Sequence, residues 1–292
     1  MAAVANDITN INLVSNDPPI DAKGAAALAR KMLRNPDTEK LFLADNRIGD
    51  KGATAIAAIL KDNTPLNTLD LRENNIRDNG AKALAIGLEN NVVVTHLFLN
   101  DNNIGDVGAQ ALADALKKNY TIKEMLLENN NIGDVGAQAI ADMLRGNETL
   151  EIIHLGDNNI GEVGARSIEE AIKENITIMS VDLGSEYSRS GRAIPPDVRI
   201  SINAILEQNR TDPDGAKERV DMLSLERGVM PAGDGRQTTK HKQKHLRKNN
   251  RRSHRRSHRR SRGRSRGRSR GRSHRRSRGR SHRRSRGRSR GR

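Results

Sequence analysis

The chain has no cysteine and no tryptophan, and only two tyrosines and two phenylalanines among its 292 residues. Lack of thiols excludes a disulfide framework, thiol catalysis and cysteine-ligated zinc, and it is compatible with a reducing compartment. No aromatic residue follows Tyr187, so the C-terminal part lacks the stacking platform on which single-stranded nucleic acid is commonly read. No segment reaches the roughly 18 uninterrupted apolar residues of a membrane span. The opening residues, MAAVANDITNINLV, lack the basic start and apolar run of a signal peptide. The protein therefore reads as intracellular and soluble, with no membrane partner expected.

Acid is missing from one end. Residues 236–292 contain no Asp or Glu but hold 28 of the 52 Lys and Arg, leaving 24 basic against 36 acidic side chains in residues 1–235. The front is net −12, and the overall +16 describes the tail. Within the tail a serine recurs at every fourth position: Ser253, Ser257, Ser261, Ser265, Ser269, Ser273, Ser277, Ser281, Ser285 and Ser289, each directly after an Arg and before an Arg or His. With almost no apolar residue to offset about 1 to 2 kcal/mol of backbone entropy per residue, this segment is expected to be disordered. Its arginines, Arg251, Arg252, Arg255, Arg256, Arg259, Arg260, Arg264, Arg268 and Arg272 among them, suit phosphate gripping and counterion release, so RNA, DNA or another polyanion is the expected tail partner. The serines are candidate phosphorylation sites. A basic run also serves localisation, and a nuclear or nucleocytoplasmic location is expected.

What is present in the front is a repeat. LFLADNRIGDKGATAIAAIL from Leu41 returns as LDLRENNIRDNGAKALAIGL from Leu69 and LFLNDNNIGDVGAQALADAL from Leu97, and the same 28-residue step continues at Met125, Ile153 and Val181. A degenerate half unit around Leu13, Ile20 and Gly24 precedes them. Each unit opens on a short alternating stretch that predicts a strand, with the leucines facing one way and Asp70 or its equivalents the other. An Asn at 46, 74, 102, 130 and 158 then ends the strand, a Gly-Asp-x-Gly-Ala segment supplies a helix-capping Asp, and an Ala/Ile/Leu run predicts the helix. One unit cannot bury its own apolar faces, so stacking must complete the core. The fold class expected is α/β: a solenoid of parallel inner strands and outer helices over residues 1–210. It is closed by a capping helix at roughly Asp197 to Asn209 and followed by a linker at 211–235, with room for a short helix near Ala216 to Leu225, and then by the tail.

The inner face carries the candidate binding residues. Phe42 and Phe98 lie between strand leucines and so face outward with Asp70, Leu126 and His154, while Asp45, Glu73, Asp101, Asn129 and Asp157 recur once per unit as an expected acidic column for a partner with a basic patch. The Asn column is read as backbone-satisfying, and Gly49, Gly105, Gly133 and Gly161 as turn residues. His96 and His154 and the six tail histidines show no metal-ligand spacing, and no grouping of Ser, His and Asp is visible. No cofactor and no catalytic residue is assigned, and a monomer is expected.

The pattern LxxLxLxxNxIGDxGAxALAxxL, carried by Val94 to Leu116, resembles the ribonuclease-inhibitor-like subfamily of leucine-rich repeats, over about residues 10–210. That resemblance implies a horseshoe and protein binding through its concave face. The subfamily also includes activators of the Ran GTPase, but these usually end in an acidic stretch where this chain is basic. The tail resembles the Arg-Ser domains of splicing proteins, or protamines, in composition. The function expected is a non-enzymatic adaptor, the alternatives being a GTPase activator or a nucleic-acid compaction protein.

Overall fold

The computed structural model describes residues 9–34, 37–62, 64–184 and 194–226. The expectations for residues 236–292 lie outside the described residues. Seven three-residue strands form one parallel sheet in chain order: β1 (Asn10–Asn12), β2 (Lys40–Phe42), β3 (Thr68–Asp70), β4 (His96–Phe98), β5 (Glu124–Leu126), β6 (Ile152–His154) and β7 (Ser180–Asp182). Each of the first six is followed by a helix: α1 (Ala22–Arg34), α2 (Gly49–Lys61), α3 (Asp78–Leu88), α4 (Asp106–Leu116), α5 (Asp134–Leu144) and α6 (Glu162–Lys173). Then come α7 (Pro196–Thr211) and α8 (Pro213–Glu226). The half unit at the N-terminus therefore supplies a strand of its own, β1, paired with β2.

The 28-residue step becomes strand register. Leu41, Leu69, Leu97, Met125, Ile153 and Val181 sit opposite one another across five successive ladders, and they line the core together with Leu43, Leu71, Leu99, Leu127 and Leu155. From the other side the helices contribute Ile56, Leu84, Leu112, Ile140 and Ile168, all fully buried. Strands repeat at about 4.8 Å whereas packed helices need about 8 to 10 Å, so stacking such units bends the solenoid with the strands on the concave side.

Two asparagine ladders close the backbone of this core. In the expected one, Asn130 Nδ2 donates to the carbonyls of Leu99, Leu127 and Glu128 while its Oδ1 accepts from Ile104 N. Asn102 and Asn158 repeat the pattern one unit to either side. The second ladder follows the helices. Asn119 Nδ2 donates to Leu88 O and Asn91 O, and Oδ1 accepts from Thr121 N and Ile122 N. Asn147, Asn175 and Asn209 continue it.

The helix caps differ from expectation in an informative way. No Asp of the Gly-Asp-x-Gly-Ala segment caps its own helix. Asp78 Oδ1 instead accepts from Gly105 N (2.8 Å) and Gly108 N (2.9 Å), at the start of α4, the next helix along. Asp50, Asp106 and Asp134 do the same for α3, α5 and α6. The carboxylate thus meets the N-terminal N–H groups and helix dipole of its neighbour, which ties one unit to the next. Close approach explains the second glycine of the segment: a Cβ on Gly108 would lie 2.7 Å from Ile104 Cγ2 and 2.8 Å from Asp78 Oδ1. The first glycine is less demanding. Of Gly49, Gly105, Gly133 and Gly161, Gly49 alone has a left-handed φ, +57°, and Arg77 holds the equivalent place before α3 in extended backbone.

At the C-terminal end α7 closes the core with Val198, Ile202 and Leu206. The stretch read as a linker carries α8, which is docked. Ala216 is buried, and Arg219 donates to Lys173 O at 3.1 Å and to Asn209 Oδ1 at 2.7 Å. No described helix is long and apolar enough to cross a membrane.

Candidate protein-binding face

Alternation along each strand turns the residues flanking the buried central one to the concave side, which gives three columns running across the sheet. The first strand position carries Lys40, Thr68, His96, Glu124, Ile152 and Ser180; the third carries Phe42, Asp70, Phe98, Leu126, His154 and Asp182. Two residues on, the same step places Ala44, Arg72, Asn100, Glu128, Gly156 and Gly184.

Phe42, Phe98 and Leu126 are half-buried on this face, with Phe98 and Leu126 directly paired between β4 and β5. Their orientation agrees with the alternation. Asp70, expected to face a partner, is only 1 % exposed. Lying between Phe42 and Phe98 in register, it is held by Arg72, whose Nε and Nη2 donate to its two oxygens at 2.9 and 2.7 Å. That charge-assisted pair raises the Arg72 guanidinium above its ordinary range, against the opposing effect of burial. Asp70 is therefore an anchor for Arg72, and Arg72 is the group presented outward. The Arg72 guanidinium carbon lies 6.0 Å from the Phe98 ring centroid, and His96 meets the same ring edge-on at 6.4 Å. Phe98 is thus framed by two nitrogenous side chains that sequence reasoning did not select, although both belong to columns with the same 28-residue step.

The acidic column has a backbone cause. Asp45, Glu73, Asp101, Asn129 and Asp157 all adopt left-handed φ between 52° and 56° at the turn after the strand. Asp and Asn are the side-chain-bearing residues that tolerate this region best, so conformation selects them before any partner does. Neighbours are also linked to each other rather than only repelling: Asn129 Nδ2 donates to Asp101 Oδ1, and Asp45 Oδ2 accepts from Ser15 Oγ at 2.7 Å.

Toward β7 the face becomes polar. His154 Nδ1 lies 3.3 Å from Glu128 Oε1, and its Nε2 lies 3.2 Å from Ser180 Oγ. Asp182 stands next to His154 in register. The fold therefore assembles a Ser, His and acid grouping that no linear spacing displays, because its members come from three different units. A hydrolytic site would also need backbone donors converging beside Ser180, whose own N–H is committed to Glu151 O.

Strand, asparagine turn and returning helix, repeated with one register, define a leucine-rich-repeat solenoid, and the chain carries leucine-rich repeats. The family model described as Leucine Rich repeat matches residues 39–57, 62–85, 90–113, 119–141 and 146–168. Among solved structures, a leiomodin-1 chain titled "Actin-Binding Site 2 (ABS2)" is similar at 21 % identity and a TM-score of 0.44, covering 71 % of this chain and 96 % of that one. The tropomodulin C-terminal domain of Caenorhabditis elegans is similar at 14 % identity and a TM-score of 0.42, covering 68 % and 98 %. No curated protein matches the chain.

Proposed function

We propose that the solenoid is the protein-binding half of a non-enzymatic adaptor whose tail, from residue 236, holds RNA, DNA or another polyanion. The observation that carries the first half is the Phe98–Leu126 pair, in register on adjacent strands and only half-buried on the concave side. An apolar side chain of a partner gains there by covering surface that the free protein leaves wet. Alternation along the chain sets Glu124 and Glu128 on either side of Leu126, so a partner with basic groups flanking its apolar anchor fits best. The exposed carboxylates of Asp45, Asp101 and Asp157 add to this field but are explained by the turn. For the tail the support is its sequence: net positive charge without acid, and arginine in a fixed alternation with serine. The same run supports a nuclear location.

The test is capture by the full-length chain after nuclease treatment, comparing it with a Phe98→Ala, Leu126→Ala double variant. A specific protein held by the first and lost from the second, with RNA affinity equal in both, is the expected result. Partners retained unchanged by the double variant would refute the concave face as the binding surface.

A further inference from the structure

At the β5 to β7 end of the face, Glu128, His154 and Asp182 each bring one donor atom to within 4.8 Å of the other two. Nothing in the repeat calls for this trio. Positions equivalent to His154 hold Phe42, Asp70, Phe98 and Leu126 in the earlier strands, so the fold accepts almost any side chain there.

The surroundings are set up as an outer shell. Ser180 Oγ lies 3.2 Å from His154 Nε2, and an Nε2–H donating to it leaves the Nδ1 lone pair turned toward Glu128. A hydrogen bond on the far nitrogen is the usual device for fixing the tautomer of a ligating imidazole. Asn100 Nδ2 donates to Glu128 Oε2 and so orients that carboxylate. Asn100 is itself more than nine-tenths buried, and its Oδ1 meets no hydrogen-bond partner. Asp182 Oδ1 is occupied by Gly184 N at 2.8 Å, which leaves Oδ2 available. Finally, the column that carries Arg72, Asn100 and Glu128 ends in Gly156 and Gly184, whose backbones approach closely: a Cβ at Gly156 would lie 3.0 Å from Gly184 Cα and 3.3 Å from Asp182 Oδ2.

We propose that Glu128, His154 and Asp182 bind one divalent first-row transition cation of the zinc type on the concave face. One imidazole with two carboxylates suits such ions, whereas magnesium and calcium favour oxygen donors throughout. Bonds of about 2.0 to 2.2 Å to a tetrahedral ion would bring the donors roughly 3.3 Å apart, a closure that the half-buried Glu128 and His154 and the exposed Asp182 can make by rotamer adjustment. Three protein donors leave a fourth position for water or for a side chain of a bound protein.

The test is thermal unfolding and cobalt absorption on the full chain, with zinc chloride, cobalt chloride and magnesium chloride as the probes. An ion that binds only the assembled donors stabilises the folded form, so zinc is expected to raise Tm by several degrees and magnesium to leave it unchanged. His154→Gln keeps the six tail histidines, whose zinc binding is then common to both proteins, and it should abolish the rise while leaving the metal-free Tm in place. Asp182→Asn, which keeps the acceptor for Gly184 N, should weaken it at least tenfold in zinc concentration. Cobalt should give visible ligand-field bands in the native chain that vanish in His154→Gln. An equal zinc response in the native chain and His154→Gln, or no zinc response with no cobalt bands, would overturn the proposal and leave Glu128 and His154 as a simple side-chain contact.

Discussion

Replacing Asn130 with alanine should destabilise the solenoid far more than the loss of one surface-sized polar side chain suggests. The residue is fully buried, its Nδ2 serves the carbonyls of Leu99, Leu127 and Glu128, and its Oδ1 serves Ile104 N at 3.0 Å. Alanine fills none of these roles and leaves the carbonyls and the Ile104 N–H without the partner they have in the native turn. Counting only the Ile104 N–H and one carbonyl as stranded, at about 1 to 3 kcal/mol each, the cost is roughly 2 to 6 kcal/mol. That is a large part of the roughly 5 to 15 kcal/mol by which a domain is usually stable. The assay is urea denaturation of the full chain followed by circular dichroism, with the exposed Asn103→Ala in the same turn as control. The midpoint should fall sharply for Asn130→Ala and stay within about 0.5 kcal/mol of the native value for the control. A fall in slope as well would mean that the stack parts at this unit and the two halves unfold separately. A loss below about 1 kcal/mol, comparable to a single ordinary hydrogen bond, would refute the idea that the asparagine satisfies several buried groups at once.

Leu97→Ala should cost about 2 to 5 kcal/mol through lost transfer energy and a cavity, whereas its neighbour Phe98→Ala, giving up chiefly a half-buried ring and its Arg72 contact, should cost about 1 kcal/mol; equal losses in thermal melts would show the strand facing to be wrong. Asp106→Ala should destabilise by about 1 to 2 kcal/mol, with hydrogen-exchange protection falling at the start of α5 and not of α4, since its carboxylate accepts from Gly133 N and Gly136 N. Gly108→Ala should cost about 1 to 3 kcal/mol by overpacking, measured by denaturation, while the same change at Gly105, where a Cβ meets nothing nearer than 3.4 Å, should be tolerated. Phosphorylation of the Arg-Ser serines by a kinase of that specificity should weaken RNA binding and flatten its salt dependence, as each phosphate adds about −1.5 to −2 in charge; a salt titration unchanged after confirmed modification would mark the serines as spacers.

Most of the fold was legible because a repeat writes the same physics many times over. One occurrence of Leu-Asp-Leu before an Asn is ambiguous, but its return at a constant step of 28 residues forces one strand register and one facing through β2 to β7. The inner asparagine ladder was readable on the same ground. The outer ladder, Asn91, Asn119, Asn147 and Asn175, is equally periodic, but a polar residue just after a helix is equally compatible with a solvated turn, so its burial against the neighbouring unit emerges only from the stacking. For the concave face the sequence told which residues point outward and little about what they do there. Asp70 faces the right way but is covered by Arg72, a neighbour two residues along whose position over it depends on rotamers and on Phe98 from the next strand.

Sequence alone determined whatever recurs within one unit: the alternation of strand, turn and helix, the buried leucines, the split between an acidic front and a basic tail. Only the stacked structure decided what happens between units, because those partners lie 26 to 31 residues apart and share no local pattern. Asp78 looks like a cap for the helix it begins, yet caps the following one, since the spacing of packed helices brings its carboxylate to the N–H groups of Gly105 and Gly108. Asp45, Glu73, Asp101, Asn129 and Asp157 look like a binding column, yet their left-handed backbone supplies a reason of its own for their identity. Glu128, His154, Ser180 and Asp182 look unrelated in the chain, and parallel strands set side by side in register are what turn them into one cluster.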